Sequence, residues 1–405
     1  MNDTPGQDIL PSGEKRKRSL AGRLFLILLP IFLVAGGFAA WDIHRFLTTP
    51  AGGDNPETVL INIIPGSTFD RVAWDLYKAG AITDVDRFRL LARFHKQLGS
   101  IQAGEFEVDT GWTPDRVLNH LTSGRPVMYR LALREGLPWW DVAKLVEEGG
   151  FATAEAFKAV IHDPEFLRRW GIPFTNAEGF LFPDTYHLRK PREMGGRAQA
   201  EEIAAILVES FWRRTWELWE EYARTAGEAP GSMTAVEALT LADGTLARRQ
   251  RGQGMETFPP AMLPVSPDAV KRLVILSTLV EKETGVAGER ARVAGVYANR
   301  LRIGMLLQCD PTIIYGLGES FSGPIRKSHL ADVKNPYNTY QHAGLPPGPI
   351  CSAGLAAITG AIQPESHKYL YFVAKGGDGS HEFSTNLNDH LRAVANYRAW
   401  ERSRQ

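Results

Sequence analysis

The residues of this 405-residue chain best placed to do chemistry are two carboxylates at the end of an apolar run. Val270–Val280 reads VKRLVILSTLV and passes directly into Glu281-Lys282-Glu283-Thr284. Burying a charge is costly unless it is paired or its pKa moves, and a carboxyl held protonated near neutrality is what a general acid needs. Two residues apart on a helix, Glu281 and Glu283 point to nearly opposite sides, so only one of them can face a given cleft. The plainer alternative is a solvated glutamate at a fraying helix end. Ser266-Pro267-Asp268 opens the helix, with Ser at the N-cap, Pro at the first helical position and an early acid.

Other chemistries find little support. The sequence has no HExxH, no P-loop and no dinucleotide fingerprint, and the glycines of Gly376-Gly377-Asp378-Gly379 precede no helix start. Its ten histidines lack metal-ligand spacing, which leaves His381 and His390 as structural or hydrogen-bonding groups. Ser352 lies in CSAG rather than in a nucleophile elbow. Lys+Arg and Asp+Glu balance at 46 each, so charge argues against a nucleic-acid partner. Cys309 and Cys351 are too few for a disulfide framework, and the sequence leaves open whether they pair.

The stretch VEKETGVAGERARVAGVYANRLRIGMLLQCDPTIIYGLG, from Val280 to Gly318, resembles the core signature of the MltG (YceG-like) family of membrane-anchored endolytic murein transglycosylases. EGFLFPDTYHL (178–188), NTYQHAGLPPGPICSAG (338–354) and YLYFVAKGGDGSHEFSTNLNDH (369–390) extend the likeness over most of residues 57–400. The resemblance implies a lyase that cleaves peptidoglycan glycan strands within their length. Glu281 aligns with the family's catalytic glutamate: it would protonate the glycosidic oxygen and then take the C6 proton of N-acetylmuramic acid, closing a 1,6-anhydro ring with no metal or organic cofactor. Glu178, Asp184, Gln308, Asp310, Tyr337, Asn338 and Asn386 are the candidate substrate-binding residues. Amides, hydroxyls and aromatic rings hold neutral sugars but are equally common in ordinary turns. The aromatic turn Glu178–Tyr186 either lines a sugar cleft or is a buried turn in which Asp184 caps backbone amides. Two alternatives stand beside the lyase. One is a non-catalytic glycan-binding scaffold of the synthesis machinery; the other is a two-carboxylate muramidase drawing on Glu178, Asp184 or Asp310.

These residues are to be positioned by an α+β fold in several parts. Residues 1–23 form a basic tail containing Lys15-Arg16-Lys17-Arg18, and 24–41 form an uncharged run long enough to span a bilayer. The charge asymmetry puts the N-terminus in the cytoplasm and the catalytic domain in the periplasm, anchored to the inner membrane. A signal peptide cleaved at Gly37-Phe38-Ala39 competes with the anchor, but the run is long for one and Trp41 suits an interface. Residues 42–56 are a Pro/Gly-rich linker. A β-turn-α unit then recurs at Leu60–Gly80, Phe106–Gly124 and Tyr129–Gly149, each ending on a glycine. The first two, with a helix at Asp86–Leu98 between them, resemble the family's LysM-like module at 57–124. A larger mixed α/β catalytic domain at 125–400 follows.

Within that domain, Ala154–Trp170 is helical with a break at Asp163-Pro164, and Ala198–Arg224 is a long helix whose Trp212, Trp216 and Trp219 mark a core or docking face. The stretch 243–265 departs from the family as a Gly-, Pro- and Arg-rich insertion between the EALTLA segment (237–242) and the helix leading to Glu281. A second helix runs to about Arg302, and Tyr369–Val373 pairs with His381–Asn386 as a hairpin. The expected partners are glycan strands, the inner membrane and peptidoglycan synthases.

Overall fold

The computed structural model describes residues 20–64, 66–191, 194–226, 265–377 and 379–404, with side chains from residue 29 onward. The 243–265 insertion, apart from Val265, and the 237–242 segment lie outside the described residues, as does the basic tail up to residue 19. The chain divides into two compact units, Met1–Val127 and Met128–Gln405.

In the first unit, helix α1 (Leu20–Thr48) carries Pro30 within it. The side chains at the start of the expected span, 24–28, lie outside the described residues, and among the described residues no helix is long and apolar enough to cross a membrane. The helix ends by burying Phe46 in the unit's core, and Asp42 pairs with Arg87 at 2.8 Å. Strands β1 (Thr58–Ile63) and β2 (Gly104–Asp109) run antiparallel with Ile61 opposite Phe106. Alternation sends Ile61, Ile63, Phe106 and Val108 inward. Helices α2 (Phe69–Lys78), α3 (Val85–Phe94) and α4 (Pro114–Ser123) close over that face. Thr68, Asp84 and Thr113 cap them, each side-chain oxygen accepting an N–H from three residues on.

The second unit begins with β3 (Tyr129–Ala132), which pairs antiparallel with β4 (Thr185–Leu188) rather than with the strands before it. Between them lie α5 (Trp139–Glu148), α6 (Ala154–Ile161) and α7 (Pro164–Arg169). The break expected at Asp163-Pro164 is there: Asp163 caps α7 and Pro164 opens it. Helix α8 (Arg197–Ala226) buries Trp212 and Trp219 fully beside Phe180 and Phe211, and leaves Trp216 half-buried. The tryptophan stripe is therefore core. Trp212 also donates its indole N–H to the Trp170 carbonyl at 2.9 Å, which satisfies a polar atom that burial would otherwise strand.

Helix α9 (Pro267–Glu283) starts where the sequence indicates, with the Ser266 hydroxyl accepting the Ala269 N–H. It is the central element of the unit: every residue from Val274 to Val280 is buried. After a 3-10 turn (Ala287–Glu289) come α10 (Arg290–Arg302), α11 (Asp310–Leu317) and the single turn α12 (Lys327–Leu330). Helix α13 (Leu355–Ile362) packs on α9 and α10. The hairpin β5 (Tyr371–Ala374) and β6 (His381–Ser384) leads into α14 (Leu387–Arg402). Cys309 and Cys351 are buried free thiols.

Candidate active site

Glu281 sits in the last turn of α9, where the buried stretch of the helix ends, and its side chain is only 6% exposed. Its Oε2 accepts the Gly354 N–H at 2.9 Å, and its Oε1 lies 3.1 Å from Nη2 of Arg290. Gly354 is the N-cap of α13, so one of that helix's free N–H groups is aimed at the carboxylate. Arg290, the first residue of α10, is itself 8% exposed, and the same Nη2 stands 3.0 Å from Oε2 of Glu135. Two carboxylates thus share one guanidinium nitrogen, while the buried Nε of Arg290 has no partner among the described residues. Burial pushes the Glu281 carboxyl up from its ordinary value; the Gly354 N–H and the Arg290 charge oppose this, and Glu135 adds to it. A cleft of about 610 Å³ opens beside the triad, lined by Glu135, Arg290, Ala291, Leu355, Thr359 and Gln363 among others. That volume falls in the range that holds a small ligand or a segment of a larger one.

The segment carrying Glu135 is stitched down on both sides. Gly136 donates to the Ser352 carbonyl at 2.8 Å, Ser352 donates to the Leu137 carbonyl at 2.7 Å, and Lys282 Nζ donates to the Gly136 carbonyl at 3.2 Å. Two residues further on, the Trp139 N–H donates to Oε2 of Glu178 at 2.9 Å. Glu178 is completely buried, and burial pushes its carboxyl up to about 8 against the opposing pull of the Trp139 N–H, the Tyr315 hydroxyl and the Gly179 N–H. Tyr315 beside it has its phenol raised by burial and by Glu178; it stacks on Trp140 at 4.9 Å and contacts Tyr337 at 5.0 Å. Gly179 next to Glu178 needs to be glycine, because its φ is +81° and a Cβ there would stand 2.8 Å from Pro349 and Val274.

Glu283 faces away from Glu281, beside the Cys309 thiol and the Tyr297 hydroxyl, with its carboxyl raised by burial. Asp310 opens α11 and accepts the Tyr340 hydroxyl at 2.7 Å. Gln308 is exposed with φ +52°, a left-handed conformation uncommon outside glycine, and its N–H donates to the Thr339 carbonyl. Asn338 is fully buried; its amide donates to the carbonyls of His329, Leu330 and Asp332 and accepts the Tyr340 N–H. Asn386 caps α14 by accepting the Asp389 N–H. Asp184 accepts the Thr185 N–H and pairs with Arg214 of α8 at 2.7 Å. The hairpin is tied to the core through His381, whose Nδ1 lies 2.7 Å from Glu289. Among the described residues, no group of three or more His, Cys, Asp and Glu is placed to hold a metal ion.

Of the sequence candidates, then, Glu281 is bonded to Arg290, which lines the cleft, while Glu178 and Tyr337 are not among the lining residues and both lie by Tyr315. Asn338 and Asn386 are committed to backbone groups, and Asp184 is held by α8. Sequence reasoning missed Arg290 and Glu135. The second is 155 positions from its partner, and nothing in local spacing points to it. Chemically, a carboxyl held up by burial can donate a proton, and the carboxylate left behind has a backbone N–H and a guanidinium in place to receive the charge.

The YceG-like family model matches residues 61–243 and 249–396, which is most of the chain. The chain belongs to the YceG-like family. The break between the two matched segments falls at the start of the stretch read as an insertion. Among relatives of this YceG-like chain, the endolytic murein transglycosylase of Bacillus subtilis (strain 168) is 26% identical over 380 residues, covering 90% of this chain and 91% of that protein. The protein of that name from Streptococcus pneumoniae (D39) is 26% identical over 402 residues; the match covers 92% of this chain but 64% of the pneumococcal protein. A crystal structure of a YceG-like protein from Listeria monocytogenes aligns with 84% of this chain and 99% of its own, at 23% identity and a TM-score of 0.48.

Proposed function

We propose that this chain is an endolytic lytic transglycosylase of peptidoglycan, with Glu281 as its single acid and base. The observation that carries this is the setting of Glu281: a carboxyl 6% exposed, raised by burial, and met by one N–H and by the guanidinium of Arg290, which lines a cleft. In the reaction Glu281 gives its proton to the glycosidic oxygen as the bond to C1 of N-acetylmuramic acid breaks. The sugar's own C6 hydroxyl then attacks C1 and returns its proton to Glu281. Water is not consumed: the muramic acid end becomes a 1,6-anhydro sugar, and the leaving sugar keeps the glycosidic oxygen as a free hydroxyl. The names of the relatives in Bacillus and Streptococcus support the substrate and the cut within the strand.

The location we assign rests on sequence: the basic cluster 15–18 followed by the uncharged run 24–41 makes an inner-membrane anchor, with residues 42–405 in the periplasm beside nascent strands and their synthases. The β1–α2–α3–β2–α4 unit would hold the strand as a LysM-like module through N-acetylglucosamine. Hydrolysis by two carboxyls is the second reading, and it gains a candidate in Glu135. The two carboxylates meet the same guanidinium nitrogen at 3.0 and 3.1 Å, which makes Glu135 the carboxyl nearest at hand for such a pair.

Digesting purified peptidoglycan with the detergent-solubilised full chain and weighing the products tests the proposal. Anhydro ends support it. Reducing ends mean hydrolysis, and an intact substrate means a binding scaffold. Glu281→Gln keeps the shape and removes the proton; it should lower cleavage by at least about 100-fold with the unfolding midpoint little changed. A Gln variant that cut at the normal rate would take Glu281 out of the reaction.

A further inference from the structure

A general acid must exist with its proton on, yet Glu281 is bonded to a buried cation. Were Arg290 paired with Glu281 alone, protonating Glu281 would leave a guanidinium 8% exposed with no anion, which is costly. The geometry avoids this. Arg290 uses one nitrogen for both carboxylates, at 3.1 Å to Glu281 and 3.0 Å to Glu135, and Glu135 is 47% exposed and so within reach of water. We propose that Glu135 is a positioning residue that serves as the standing counter-ion of Arg290, so that Glu281 can hold or release its proton without unpairing a buried charge. The inference rests on Glu281 being the acid of the proposed reaction.

The surroundings fit this division. The groups facing Glu281 are Arg290 from α10, the Gly354 N–H from the start of α13, Glu135 from the turn after β3, the buried Cys351 thiol, and Lys282 from its own helix. Lys282 turns its ammonium to the Gly136 carbonyl, which leaves Arg290 as the cation in contact with Glu281. Glu135 in turn leans over Gly354: a Cβ on that residue would lie within bonding distance of Oε1 of Glu135, so the glycine leaves room for the counter-ion. The residue that donates to Glu281 and the residue that relieves its partner are thus fitted to one another.

Loss of Glu135 should pull Arg290 fully onto Glu281 and favour its ionised form. The experiment is the pH profile of kcat/KM on purified peptidoglycan for the full chain and for Glu135→Gln. The expected result is a basic limb moved to lower pH by about one unit, which appears as roughly tenfold lower activity above the pKa, with recovery on acidification. Glu135→Asp keeps the charge and should move the limb back toward the parent's. Gly354→Ala, which crowds Glu135 without removing it, should reproduce the Gln profile. If Glu135→Gln does not fold, these two variants carry the test. A uniform loss at every pH would make Glu135 a reacting or merely structural group and overturn the proposal, as would a profile that overlays the parent's. Failure of the functional reading looks different: Glu281→Gln would then remain active, whatever Glu135 does.

Discussion

Glu178 offers a test of the site's electrostatics that needs no substrate. Its carboxyl is fully buried and one oxygen takes the Trp139 N–H, while the Tyr315 hydroxyl and the Gly179 N–H beside it also favour the ionised form without offsetting the burial. Burial raises its pKa from the ordinary 4.5 to about 8. A carboxyl whose native pKa lies above its unfolded value binds more protons in the folded state, so stability falls as pH rises between the two. The stabilisation is complete below about 4.5 and is lost as pH climbs through about 8. Each pH unit across that window withdraws about 1.4 kcal/mol, or roughly 5 kcal/mol in all. Glu178→Gln is neutral throughout and keeps an oxygen for the Trp139 N–H. It should match the parent within about 1 kcal/mol at pH 4.5 and exceed it by several kcal/mol at pH 9. Urea unfolding of both proteins from pH 4.5 to 9, followed by tryptophan fluorescence, reads this as a difference, so carboxyls common to both cancel. A stability difference that stayed flat across that range would mean Glu178 is not held neutral by its burial, and the electrostatic account of this corner of the site would be wrong.

Two further outcomes concern the scaffold. Trp212→Ala should cost about 3–5 kcal/mol of stability, since it empties a fully buried site and strands the Trp170 carbonyl; urea midpoints measure it. Asn338→Ala removes one amide that serves three carbonyls and should cost about 1–3 kcal/mol per stranded group that water does not reach. Faster hydrogen exchange over 329–342 would localise that loss.

Local grammar made much of the fold legible. Ser266-Pro267-Asp268 marked the start of α9, Asp163-Pro164 the break between α6 and α7, and the Gly-rich loop between Tyr369–Val373 and His381–Asn386 the hairpin. The pattern also placed Glu281 at the end of a buried helix facing away from Glu283. The partners that tune it were not legible. Arg290 looked like one more basic residue in a helix, and Glu135 like a turn residue, because the contact joining them is tertiary. Asn386 could have been read correctly: an Asn three residues before Asp389 at a helix start is a capping pattern. The structural use of Asn338 is set by carbonyls at the end of the single turn α12 and just beyond it, and no periodicity encodes those. The choice of β4 as the partner of β3 was equally hidden, since more than fifty residues separate the two strands.

The parts of the site come from far-apart stretches of the chain: Glu135 after the first strand of its unit, Glu178 after three helices, Glu281 beyond the 227–264 stretch, and Gly354 last of all. A ribosome delivers them in that order, N-terminus first. A polypeptide interrupted between Glu281 and Gly354 has the glutamate without the N–H that meets it. Only a chain translated past that glycine can therefore assemble the whole constellation.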